Sequence, residues 1–268
     1  MKILIRHTTS YHFDQPVPYA LQRLRLMPKH SAGQQVLKWD MRVEGGQCEA
    51  EYDDPHLNHV ALIRVEDGAE EVHVECTGEV ETDPDFHGVV GKHSGFTPLW
   101  LFRKPTPLTE AGAEVRALAS KARAFDTDND IARLHELSAL ILSSVAYEVG
   151  ATHSATTAEE AAKQKSGVCQ DHAHIFIAAA RLLGFPARYV SGYLFMEDKP
   201  EQEAGHGWAE AWVDALGWVG FDISNGISPD ERYVRVATGC DYADAAPIRS
   251  MSFGARDHSM VVSLRVDQ

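Results

Sequence analysis

The chain has 268 residues, 44% hydrophobic and 24% charged, enough to bury one large core or two modest ones and too apolar to be largely disordered. Its 25 Lys and Arg stand against 39 Asp and Glu, a net charge of −14 with no compensating basic stripe, which argues against a nucleic-acid partner. The apolar stretch after Met1 is too short for a secretory signal, and nowhere do about eighteen apolar residues run together, so we expect a cytoplasmic chain with no membrane partner.

The first eighty residues read as strands. Residues 2–13 are rich in β-formers, 22–27 and 36–43 alternate polar with apolar, and 59–65 and 71–80 flank the turn Glu66-Asp67-Gly68. In the last strand Val72, Val74 and Cys76 share one face, so the expectation is an antiparallel sandwich-like domain over residues 1–85. Glycines and prolines then break any period, giving a connecting segment over 86–108 whose Phe96, Leu99, Trp100, Leu101 and Phe102 should pack down.

Helical spacing begins after Pro107. Thr109 is placed to cap a helix through Val115, Leu118 and Ala122, and Asp130 one through Leu134, Leu137 and Ile141. Thr157 precedes a short alanine-rich helix. An almost wholly apolar run over 173–183 stops at Gly184, and a helix apolar on nearly every side belongs in the middle of a domain. Strand-like stretches follow at 187–195, 207–213, 217–221, 233–236 and 258–266, so residues 109–268 form the expected second unit and the fold class is α+β.

Cysteines 48, 76, 169 and 240 form no CxxC pair, which is not a disulfide framework, and each must be judged alone. Cys169 follows Gly167 at the head of the apolar helix, where free N–H groups and the helix dipole favour a thiolate. His206, between Gly205 and Gly207 at a strand start, is the candidate base. Asp222, closing the strand 218–221, is placed to fix its tautomer. Singly each residue has a bland alternative: a buried thiol, a turn histidine, a turn aspartate. Together they suggest a nucleophile, a base and an orienting carboxylate.

Three blocks carry a resemblance. Ser166-Gly167-Val168-Cys169-Gln170-Asp171-His172, Gly184-Phe185-Pro186-Ala187-Arg188-Tyr189, and Gly205-His206-Gly207-Trp208 with Gly217-Trp218-Val219-Gly220-Phe221-Asp222 resemble the bacterial transglutaminase-like proteins. Gly239-Cys240-Asp241-Tyr242 fits the same family, and the β-rich first part is similar to the N-terminal domain that often precedes this core. The resemblance implies a papain-like core, a helix carrying Cys packed on an antiparallel sheet, with Cys169 as nucleophile, His206 as base and Asp222 as orienting carboxylate. It implies a cysteine peptidase or amidase working through a thioester on a peptide or protein substrate. The alternatives are a protein-glutamine cross-linking enzyme and a non-enzymatic binding module on the same fold.

Tyr147, Gln170, His172 and Trp208 are the candidate substrate-binding or oxyanion residues. Two positions depart from the family pattern. His172 stands where an aromatic is usual and shares a helix face with Cys169, so it either lines the site or competes as base, against the plain alternative of a partly exposed polar residue. Gly207 stands where alanine is usual, which should loosen the strand. No metal or cofactor is expected: His172 and His174 are two apart on a helix and point to different sides, and His87 and His93 lie in the irregular connector.

Overall fold

The structure is a computed structural model that describes residues 1–14, 19–253 and 258–268. In chain order the first elements are β1 (Lys2–Phe13), β2 (Tyr19–Leu24), β3 (Gln34–Glu44), β4 (Gly46–Asp53), β5 (His59–Val65) and β6 (Glu71–Thr82). After β7 (Val89–Gly91) come α1 (Ala113–Arg123), α2 (Asp130–Ser144), β8 (Ala146–Tyr147), α3 (Ala158–Gln164), β9 (Ser166–Gly167) and α4 (Cys169–Leu182). The chain closes with β10 (Ala187–Leu194), β11 (Glu201–Gln202), β12 (His206–Val213), β13 (Gly217–Phe221), β14 (Tyr233–Gly239), α5 (Tyr242–Ala245), β15 (Ile248–Phe253) and β16 (His258–Asp267).

Strict alternation marks the first strand. Along β1, Ile3, Ile5, His7, Thr9, Tyr11 and Phe13 all point inward. One sheet runs β11–β16–β1–β6–β3 and a second runs β15–β2–β5–β4. They share a core in which Tyr11 and Phe13 meet Leu24, Ile63 and Val65, with Val72, Val74 and Cys76 on one face of β6 as the sequence suggests. The last two strands leave the unit that precedes them: β15 pairs with β2 and β16 with β1. The span 109–268 is thus shared between this sandwich and the core that carries the site.

That core is a sheet in the order β14–β10–β12–β13–β7 with α4 laid across β12 and β10 and the other long helices around it. Helix α4 is buried on every side, including Ile175, Phe176 and Ile177, each contributing about 1.5–3 kcal/mol by leaving water. Its expected stop holds: Gly184 follows at φ +99°, a left-handed conformation that glycine adopts freely. Arg181 on α4 is buried and donates to the carbonyls of Phe102, Ala187 and Cys240, fastening the connecting segment and the ends of two strands to one helix.

Caps differ from expectation where tertiary contacts replace local ones. Helix α1 starts at Ala113, not after Thr109, because the Glu159 carboxylate from α3 accepts from the N–H groups of Glu114 and Val115 at 2.9 and 3.1 Å. Thr109 instead accepts from Arg181 at 2.7 Å. Asn129, one residue before Asp130, caps α2, while Thr157 with Glu160 forms the capping box of α3. Of the five apolar residues of the connecting segment expected to pack down, Phe102 is buried, Leu99 and Leu101 are half-buried, and Phe96 and Trp100 are exposed. Among the described residues no helix is long and apolar enough to cross a membrane.

Candidate active site

Cys169 is presented by a tightly made helix start. The parallel pair β8–β9 sets Tyr147 beside Gly167 and leads the chain into α4. Asp171 turns back so that its Oδ2 accepts from the Val168 N–H at 2.8 Å and from the Thr152 hydroxyl at 2.6 Å. A β-carbon on residue 167 would stand 2.7 Å from Asp171 Cβ, so glycine there is what lets the cap close. Cys169 is the first helical residue and is half-buried, reachable by a substrate while desolvated on one side.

His206 opens β12, two strands from the sheet edge, opposite Gly192 of β10. Its Nε2 donates to Asp222 Oδ2 at 2.6 Å, and the sulfur of Cys169 is near enough to act on the charge of the ring. Burial pulls the imidazole towards neutrality. The Cys169 sulfur and the Asp222 carboxylate outweigh that pull and hold it up at about 10. Trp208 stacks on the ring at 6.1 Å and Tyr233 stands at 5.9 Å, fixing its plane.

Asp222 is fully buried at the end of β13. Besides His206 it accepts from the Tyr233 hydroxyl and the Asn225 side-chain amide, both at 2.7 Å, and from the Asn225 N–H at 3.2 Å. Burial alone would raise its pKa, but these donors lower it, so the carboxylate stays charged. A thiol, an imidazole and a charged carboxylate are therefore brought together, contributed by α4, β12 and the end of β13.

With that geometry, residues 116–223 match the transglutaminase-like superfamily, and residues 3–81 match the bacterial transglutaminase-like N-terminal region. The likeness to the transglutaminase-like superfamily is thus that of residues 116–223, the segment that carries Cys169, His206 and Asp222. An uncharacterized protein of Mycobacterium leprae is 26% identical, with 98% of each chain covered. One from Mycobacterium tuberculosis is 25% identical over 98% of this chain and 91% of its own. A solved structure from Cytophaga hutchinsonii, named a candidate cysteine protease, is similar with a TM-score of 0.79 at 23% identity, covering 100% of this chain and 90% of that one. That likeness is one of fold.

The four other candidate residues separate by position. Tyr147 is half exposed, and its phenol pKa is raised by burial and then by the nearby Cys169 and Asp222 charges, so it is a neutral hydroxyl beside the sulfur. Gln170 donates to the Ser154 carbonyl at 3.2 Å and ties the preceding loop to the helix start. Trp208 is buried behind His206 and faces the core, so it supports the ring and offers no surface to a substrate.

His172 corrects the sequence expectation. It is fully buried rather than partly exposed, and both ring nitrogens are occupied. Nε2 donates to the Val145 carbonyl at 3.1 Å and Nδ1 accepts from the Ser224 hydroxyl at 2.9 Å. Burial lowers its pKa, so it is a neutral tie between α4, the end of α2 and the turn after Asp222, with no nitrogen free to act as base. His93 is similarly committed, donating to the Thr97 carbonyl and accepting from the Trp218 indole.

Gly207 does not leave the strand loose. A β-carbon there would lie 2.0 Å from the Tyr189 hydroxyl, so the phenol of Tyr189 on β10 fills the space an alanine methyl would take. Tyr189, Asn225 and Tyr233 are the residues sequence reasoning missed. Only Asn225 carried a signal, as the Asx residue of the turn Ile223-Ser224-Asn225-Gly226.

Proposed function

We propose that this chain is a thiol-dependent amide hydrolase or acyl transferase, a cysteine peptidase or amidase in which Cys169 is the nucleophile, His206 the base and Asp222 the orienting carboxylate. The observation that carries the reading is a single imidazole that donates to the Asp222 carboxylate at 2.6 Å and whose pKa is raised, against burial, by the nearby Cys169 sulfur and that carboxylate. Such a ring can take the thiol proton, and the resulting ion pair is stabilised by the buried carboxylate behind it.

In the proposed cycle the sulfur attacks an amide carbon and His206 returns its proton to the departing amine, leaving a thioester that water or a second amine resolves. The oxyanion takes the backbone N–H of Cys169 at the helix start and, from the other side, the neutral hydroxyl of Tyr147. Loss of one such donor costs about 100–1,000-fold in rate. All four cysteines are free thiols, which suits a reducing, cytoplasmic setting.

The test compares wild type with Cys169→Ala on peptides bearing glutamine or isopeptide amides, with ammonia and amine release measured separately. Turnover that disappears in the variant, with the unfolding transition retained, is the expected result. Ammonia without incorporation of an added amine marks hydrolysis, and incorporation marks cross-linking. Undiminished turnover by Cys169→Ala ends the proposal.

A further inference from the structure

Away from the triad, His56, Cys240 and Asp244 bring one imidazole nitrogen, one sulfur and one carboxylate oxygen within 4.8 Å of one another. They come from different parts of the chain: His56 from the loop between β4 and β5 of the sandwich, Cys240 from the end of β14, and Asp244 from α5. We propose that these three side chains form a binding site for a divalent metal ion of the zinc class, which pins the sandwich to the core.

The donor set is chemically apt. Imidazole, thiolate and carboxylate together suit zinc, and three protein ligands with one open position make a recognised four-coordinate arrangement. Thiolate and carboxylate neutralise a dication, so the loaded site carries no net charge beside the buried Arg181, whose Nη2 donates to the Cys240 carbonyl at 2.6 Å. Binding displaces the thiol proton to solvent and forms the metal–sulfur bond, with no change of oxidation state.

The ligands are held in advance. The His56 N–H donates to Asp54 Oδ1 at 2.9 Å and its carbonyl accepts from Lys29 Nζ at 2.7 Å, so its backbone is fixed. Its Nδ1 meets the Thr97 hydroxyl at 3.3 Å, and that hydroxyl reaches the Pro55 carbonyl at 3.4 Å. With the hydroxyl proton on Pro55, Nδ1 is the protonated nitrogen and Nε2 presents a bare lone pair, the orientation that a hydrogen-bond partner behind the ring imposes on metal-binding histidines. Nε2 lies 3.7 Å from Asp244 Oδ2. That is too long for a hydrogen bond, and close to the about 3.4 Å separating two tetrahedral ligands with bonds of about 2.1 Å.

Cys240 and Asp244 form a folded chelate, because Asp244 Oδ2 accepts from the Cys240 N–H at 3.0 Å and Asp241 caps the turn between them. A β-carbon on Gly239 would come within 2.2 Å of Asp244 Cβ, so glycine is needed for this closure. Phe102 and Trp218 back the sulfur with apolar surface, while the Asp244 side chain is 47% exposed and gives an ion a way in from solvent.

Cobalt(II) titration tests the site in the full chain carrying Cys169→Ser, which removes the other thiol beside a histidine. The expected result is stoichiometric uptake with a near-ultraviolet thiolate-to-cobalt band and the visible bands of a four-coordinate ion, displaced by zinc. Cys240→Ser should abolish the thiolate band. His56→Gln and Asp244→Asn should each weaken binding by more than about 100-fold, beyond the usual second-shell loss. Zinc should raise the unfolding temperature of the parent and not of these variants. No thiolate band, or a band that survives Cys240→Ser, overturns the proposal. If Cys240→Ser does not fold, unchanged cobalt affinity in Asp244→Asn overturns it equally.

Discussion

Replacing Gly207 by alanine should damage this protein. In the β10–β12 pairing Tyr189 faces Ala209, and residue 207 is its diagonal neighbour, within reach of a long ring. The new methyl would stand 2.0 Å from the Tyr189 oxygen and 2.8 Å from the carbon bearing it. The phenol is buried against His174 and Tyr242, with no open space to retreat into. Relief must come from β12 itself, at the residue next to His206. Overpacking of this kind costs about 1–3 kcal/mol, and a shift of about 1 Å at a catalytic group costs about 100-fold in rate. Tyr189→Phe removes the closest atom, leaves a 2.8 Å approach that a few tenths of an ångström resolve, and alone should cost about 1 kcal/mol. The double variant should therefore be more stable than the sum of the singles by about 1–2 kcal/mol, within the range of contacting pairs. Urea unfolding gives the energies, and the rate of iodoacetamide alkylation at Cys169 gives the effect on the site. Strictly additive losses, or a Gly207→Ala protein as stable and as readily alkylated as wild type, would refute the reasoning.

His206→Gln should slow alkylation of Cys169 near neutral pH by about 100-fold or more. His172→Phe should leave that chemistry in place and instead cost about 1–3 kcal/mol for the buried Val145 carbonyl left unpaired, and less for the half-buried Ser224 hydroxyl, read by urea unfolding. Glu210 is fully buried between Arg188 and Arg235, with contacts of 2.6 Å to each. Burial works against its charge, but the two guanidiniums outweigh it and hold the carboxyl at about 2, so Glu210→Gln should cost about 3–5 kcal/mol in chemical denaturation. Because His206 is held at about 10 when folded against about 6.5 when unfolded, its stabilisation is complete below about pH 6.5 and is lost as pH rises through about 10. The stability gap between wild type and His206→Gln should close across that window, and a gap independent of pH would contradict the ion-paired ring.

Much of this molecule was legible because local rules and tertiary contacts agree over long stretches. The alternation of β1 and β6, the capping box of Thr157, and the apolar run that became α4 all sit where burial and propensity demand the same thing. Elements escaped where one of the two was silent. β4 is exposed along most of its length and carries no alternation, so nothing in Gly46–Asp53 marks a strand except its pairing with β5. α1 lacks a side-chain cap of its own because Glu159, forty-five residues on from Glu114, supplies it. At the site, Cys169, His206 and Asp222 stand at element boundaries flanked by glycine or a turn, which makes them visible. Tyr189 and Tyr233 lie within buried strands, where an aromatic residue is ordinary, and only the folded sheet reveals that their hydroxyls abut Gly207 and Asp222.

The sandwich is part of the machinery that holds the site, not a separate appendage. Strands β10 and β14, on one side of the strand that carries His206, are gripped from the N-terminal part by hydrogen bonds buried from water. His7 on β1 bonds the Tyr193 hydroxyl of β10 at 2.8 Å. Gln34 exchanges two bonds with the backbone of Arg235 on β14, at 2.7 and 2.8 Å, and Asn58 exchanges two with that of Thr238, both at 2.8 Å. Buried polar groups stripped of partners cost about 1–3 kcal/mol each, so the core sheet could not shed the sandwich and keep β14 and β10 in place. The return of β16 to β1 and β15 to β2 closes the same loop covalently. The site therefore inherits its rigidity from a circuit that starts and ends in the sandwich, and the proposed metal at His56, Cys240 and Asp244 would sit on that circuit where the β4–β5 loop meets the end of β14.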